Sequence, residues 1–176
     1  MVSWKWALVL VAVAAALGAY LVLSRPRPAP PAPPLVPCGV LDTVYVQIRG
    51  QGQTLQLERA SPGARWQVVE PVKAAGDPNT VDNLVNQIGA VEVLNTISSP
   101  QPISQYGLSQ PRLAITCRVK GGRSYNLTVG NQSFDGSGYY AQKGGDNRVF
   151  VISSVEVDGF DRALSSPPVE PTPSPQ

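Results

Sequence analysis

The placement of proline sets the first limit on what this chain can fold into. Of its 18 prolines, seven lie in the twelve residues from Pro26 to Pro37 and five in the ten from Pro167 to Gln176. A residue with a fixed φ and no N–H neither continues a helix nor donates to a sheet ladder, so neither segment can form regular packed structure. What remains between them is residues 38–165, enough for one hydrophobic core without metal or cross-links. The expected organisation is an anchor at 4–23, a proline-rich stalk at 24–37, one domain at 38–165 and a disordered tail at 166–176.

The anchor rests on an unbroken run of apolar or small residues from Trp6 to Leu23. As a helix it spans roughly 27 Å, close to the hydrocarbon thickness of a bilayer. A cleaved signal peptide competes, with Ala14 and Ala16 before a cleavage point. The run continues through Leu21-Val22-Leu23, however, where a signal would have turned polar. Lys5 and the terminal amine balance Arg25 and Arg27, so charge does not decide the orientation. The stalk, as polyproline II, holds the domain up to about 40 Å from the membrane.

Composition narrows the function. The chain has no histidine, which removes the usual general base near neutral pH and the commonest zinc ligand. Its two cysteines cannot build a four-cysteine metal site. Residues 38–165 carry eleven basic and eleven acidic side chains, with no basic footprint for nucleic acid. The expectation is a protein with no catalytic residue, no cofactor and no metal.

Inside the domain the dominant signal has period two. Val44, Val46 and Ile48 alternate with Tyr45, Gln47 and Arg49, and after Gly50-Gln51-Gly52 the pattern resumes at Leu55 and Leu57. Trp66 and Val68 form a strand that Pro71 ends. Leu113, Ile115, Cys117 and Val119 share a face, Gly121-Gly122 turns the chain into Tyr125, Leu127 and Val129, and a last pair, Gly138 to Gln142 and Arg148 to Ile152, flanks Gly144-Gly145-Asp146-Asn147. One segment has the helical period instead: Asp77 caps, Pro78 follows, and Val81, Leu84, Val85 and Ile88 recur at spacings of three and four up to Gly89. A second helix is expected from Ser154 to Leu164, interrupted by Gly159. The fold class is α+β, a mainly antiparallel sheet of meander hairpins packed with one or two helices.

Several of these features occur in an order that resembles a bacterial family called domain of unknown function 4340. They are Trp66 with Pro71, Asp77 opening a helix, Tyr106-Gly107-Leu108 with Pro111, Leu127-Thr128-Val129-Gly130, Tyr139-Tyr140, and Val149-Phe150-Val151-Ile152. The resemblance covers about residues 40–155. Gly76-Asp77 stands where the family usually has alanine-aspartate, which leaves the capping residue in place. The resemblance implies one N-terminal membrane helix and an auxiliary role beside ABC-transporter components of the gliding-motility type. It brings no catalytic residue.

The motif residues Tyr106, Gly107, Leu108 and Pro111 describe backbone geometry: Gly107 supplies a conformation other residues resist, Leu108 plugs the core and Pro111 fixes the entry to a strand. Cys38 and Cys117 have two open readings, a disulfide in an oxidising compartment or two unpaired small hydrophobes. A lipoprotein role for Cys38 fails because it follows Pro37 and the stalk. Trp66, Tyr139 and Tyr140 offer an aromatic platform for glycan strands, with burial of Trp66 as the simpler reading. Asp158 and Asp161, near Glu156, read as a solvated helix face. The leading functional expectation is a membrane-anchored, extracytoplasmic accessory or scaffold domain of a transporter-associated envelope complex, at the bacterial cytoplasmic membrane. The alternative is a module that binds cell-wall polysaccharide.

Overall fold

A computed structural model of the chain describes residues 4, 11, 13–15, 17, 18, 20, 33–98, 100 and 102–171. The chain divides into two units, Met1–Ala32 and Pro33–Gln176. In the first unit the described residues are helical. Among the described residues, no helix is long and apolar enough to cross a membrane. Most of the expected anchor and residues 24–32 of the expected stalk lie outside the described residues.

The second unit is a nine-stranded antiparallel sheet with two helices. Its strands are β1 (Thr43–Gly50), β2 (Gln53–Glu58), β3 (Gln67–Glu70), β4 (Ala74–Ala75), β5 (Val93–Ile97), β6 (Leu113–Val119), β7 (Ser124–Gln132), β8 (Gly138–Lys143) and β9 (Val149–Ser153). The helices are α1 (Pro78–Gly89) and α2 (Ser154–Ser165). The strand order is β4-β3-β2-β1-β6-β7-β8-β9-β5. Two meanders therefore meet at the central pair β1 and β6, where Val46 lies opposite Cys117 and Ile48 opposite Ile115. Val46, Ile48, Leu113, Ile115, Cys117 and Val119 are buried, as their alternation requires, whereas Val44 is half-buried at the register shift between Thr43 and Tyr45, where Thr43 is buried instead.

Helix α1 joins the two ends of the sheet, because β4 and β5 are its outermost strands. A helix of this length is roughly 18 Å long. Eight inter-strand steps of a flat sheet would cover about 38 Å. Curling the sheet over its helices reconciles the two lengths. The helix begins where Asp77 accepts hydrogen bonds from the Thr80 N–H (2.8 Å) and hydroxyl (2.6 Å). Val81, Leu84, Val85 and Ile88 are buried against the sheet, and α2 adds Val157, Phe160 and Leu164. Gly159, expected to interrupt α2, instead lets the helices approach: a Cβ there would sit 2.9 Å from Gln87 Oε1 on α1.

Both expected domain boundaries shift outward. Leu35 and Val36, assigned to the stalk, are buried in the main core beside Cys38. They are apolar residues flanked by prolines, and the flanking prolines hid them. At the other end Val169 bridges Gly76, and the Glu170 N–H donates to the Ala75 carbonyl at 2.8 Å. Residues 168–170, within the tail expected to be disordered from 166, thus lie along the β4 edge. Residues 172–176 lie outside the described residues.

Cys38 and Cys117 are joined by a disulfide, with Cα atoms 6.5 Å apart. Both are buried, so the bond ties the entry of the chain to a central strand. Gly89 at the end of α1 lies against the Cys38 carbonyl, leaving no room for a side chain. Replacing both cysteines by alanine is expected to lower unfolding free energy by about 4 kcal/mol, given the 79-residue separation. Urea denaturation of the oxidised wild type and the double variant measures it.

Candidate functional site

The main core fills the helix-covered face of the sheet, yet β9 is buried on both faces. Phe150 and Ile152 belong to the main cluster, and strand alternation turns Val149 and Val151 to the opposite side. Among the described residues, Leu108, Val149 and Val151 are the three buried apolar side chains outside that cluster. An apolar far face needs its own cover, and the family-motif residues supply it.

The cover is the segment that follows β5. A short 3-10 helix, Ile103–Tyr106, ends at Gly107, whose φ of 72° is left-handed. That conformation favours glycine. A side chain at Gly107 would also meet Asn131, and one at Gly130 would collide with the Tyr106 carbonyl. The segment therefore rests backbone to backbone on β7. Beside it the Tyr106 and Tyr140 rings meet edge to face, with centroids 4.9 Å apart and planes at 70°. Thus Tyr106, Gly107, Leu108, Gly130 and Tyr140 are brought together on one face. Leu108 is buried, but outside the main core. Pro111 is exposed and leads into β6.

Tyr140 continues the arrangement outward. Its hydroxyl accepts from the Phe134 N–H at 3.3 Å. Phe134 sits in the turn between β7 and β8, and its side chain is fully exposed (101%). The turn around it is closed by its own polar groups. Asp135 Oδ1 accepts from the Ser133 hydroxyl (2.7 Å), the Ser137 hydroxyl (2.8 Å) and the Ser137 N–H (3.1 Å). The Gly138 N–H donates to Ser133 Oγ at 3.0 Å, and Gly136 takes a φ of 73°. A large apolar side chain is thereby held in water on a turn with little freedom. Sequence reasoning missed Phe134; the signal was a lone aromatic inside Ser133-Phe134-Asp135-Gly136-Ser137, a turn-forming run.

The other motif residues lie across the sheet. Trp66 precedes β3, and β2, β1, β6 and β7 separate that strand from β8 with Tyr139 and Tyr140. Trp66 is buried (2%), donates from Nε1 to Asp82 at 3.0 Å and lies under the Arg59 guanidinium, 4.4 Å from the ring centroid. Arg59 also donates to the Thr43 and Val40 carbonyls, which fixes the turn after Cys38. Burial pushes the Arg59 guanidinium below its ordinary pKa, and Asp82 acts in the opposite direction. Trp66 cannot join Tyr139 and Tyr140 in a glycan platform. Pro71 follows β3 through a cis Glu70–Pro71 peptide.

The carboxylates of α2 separate in the same way. Asp161 pairs with Arg112 and accepts from Gln51 Nε2 at 3.0 Å, while Asp158 is exposed. Asp161 thus fastens α2 to the entry of β6 and to the β1–β2 turn. Among the described residues, no three His, Cys, Asp or Glu side chains are grouped to hold a metal ion.

Two outcomes follow from this geometry. Gly130→Ala should destabilise the chain by about 2 kcal/mol through the collision with backbone, whereas Gly39→Ala, with open space around it, should change little; thermal unfolding of both variants measures the difference. Hydrogen bonds from Ser133, then from Ser137, hold the Asp135 carboxyl down at about 2. Its folded pKa is depressed, so its contribution is present above the ordinary carboxylate value and is lost as pH falls through about 2. Between pH 4 and 2 the Phe134 and Ser137 amide resonances should shift together as the turn opens.

Neither a curated protein nor a solved structure matches the chain. Residues 66–166 match the model of the family described as Domain of unknown function (DUF4340). That span takes in every motif residue from Trp66 to Tyr140, and the chain belongs to this family.

Proposed function

We propose that this chain is a non-enzymatic accessory or scaffold domain, anchored at the bacterial cytoplasmic membrane and standing outside the cytoplasm within a transporter-associated envelope complex. The observation that carries the reading is Phe134, fully exposed on a turn closed by hydrogen bonds. A scattered exposed apolar residue is ordinary. One pre-ordered on a rigid turn loses little entropy on docking, which is how an aromatic becomes an anchor for an apolar pocket on a partner protein.

Location is supported by two further features. A buried disulfide belongs to an oxidising compartment. The apolar run from Trp6 to Leu23 has the length of a membrane span, and the described residues within it are helical, with Val11, Val13, Leu17 and Tyr20 exposed. The choice of an ABC transporter as partner rests on the family resemblance alone.

Affinity purification of the tagged full chain from its native membranes tests the proposal. Wild type is expected to bring down transporter components, and Phe134→Ala to weaken that association by on the order of thirtyfold, the size of an interface hot spot, with no change in unfolding midpoint. Recovery of the wild type alone, or equal recovery by both chains, would count against it.

A further inference from the structure

The two edges of the sheet are treated differently. At β4 the chain's own C-terminal residues lie alongside, through the Gly76–Val169 bridge and the Glu170 to Ala75 hydrogen bond. At the other end, among the described residues, β5 pairs with β9 alone. Residues 93–96 of β5 are exposed, Val93 by 39% and Leu94 by 44%. An edge of this kind displays unpaired backbone donors and acceptors, and proteins usually blunt it with lysine, proline or a covering element. Here the strand reads Val93-Leu94-Asn95-Thr96-Ile97, and no charged residue occurs from Val93 to Pro111. Two local features moderate the edge: a bulge between Val93 and Asn95, and the Asn95 side chain, which accepts from the Thr96 N–H at 2.7 Å.

From this we infer that β5 is an interface, and that its occupant is the β5 strand of a second copy of this chain, paired antiparallel about Asn95. Exposed backbone groups specify a strand as the partner. The sequence then suits itself: pairing about Asn95 sets Val93 opposite Ile97, Leu94 opposite Thr96 and Asn95 opposite its own copy, with no charge facing a like charge. Glu92 would lie opposite Ser98, three positions from the centre. Closure favours a second copy over an open series. Among the described residues each chain has one free edge and one edge covered by residues 168–170, so joining two sheets through β5 leaves both outer ends covered and assembly stops at two.

Sedimentation of the full chain in detergent micelles, over a range of protein concentration, tests the inference. The wild type is expected to form dimers in a concentration-dependent equilibrium. Asn95→Lys places like charges opposite each other and should weaken dimerisation about fivefold or more, as should Asn95→Asp. An equimolar mixture of the two variants should restore dimers, since lysine then faces aspartate. Position 95 is exposed and its side chain bonds only the neighbouring Thr96 N–H, so at concentrations where both chains are monomeric the unfolding midpoints should lie close to the wild type. A wild type that stays monomeric, including one that instead binds an unrelated strand, would overturn the inference. So would a dimer indifferent to Asn95→Lys, which would place the contact elsewhere, or a mixture that fails to recover.

Discussion

The structure depends on one constraint: a sheet that carries apolar side chains on both faces near its β8–β9 end. Two helices cover one face and bury their apolar stripes in the main core, most of which the strands supply. They cannot cover the other. The loop from Ile103 to Leu108 lies on that other face against β7 and β8, and it can lie close only because Gly130 and Gly107 leave room for backbone. Two glycines and two tyrosines of the family motif therefore have a single physical explanation: they seat this segment as a layer on β7 and β8.

That layer links fold to function. Tyr140 belongs to it through its ring and to the neighbouring turn through its hydroxyl. The rigidity of the far face is passed to the turn that holds Phe134, so the exposed aromatic is presented from the part of the molecule the family motif defines. At the opposite half of the sheet Trp66, Arg59 and the disulfide fix the entry of the chain.

Much of this was legible in the sequence, because strict alternation and a three-four spacing leave little choice of face. The strands built on Val46, Leu57, Ile115, Leu127 and Phe150 and the helix built on Val81 to Ile88 sit where their periodicity put them. Strand β5 was not legible. Its side chains are nearly all exposed, so burial imposed no alternation on Val93-Leu94-Asn95-Thr96-Ile97. Strand β4, two alanines long, carried too few residues to show a period. The motif around Gly107 holds a left-handed glycine, but its position on the far face depends on a contact with Gly130 more than twenty residues away, which no local pattern encodes. Leu35 and Val36 were hidden among prolines, whose clustering marked an extended chain without showing that two of its side chains are buried.

The central claim is that the Ile103–Leu108 segment and the Phe134 turn form a fixed layer on the sheet. Amide hydrogen exchange of the full chain measures this directly. The account predicts slow exchange at Gly107 and Leu108, which donate to Ser104 and Ile103, and at Ser133 and Gly138, which close the turn, with rates approaching those of the central amides of β6. Exchange of these amides at the rate of an open surface loop, beside a protected β6, would contradict it.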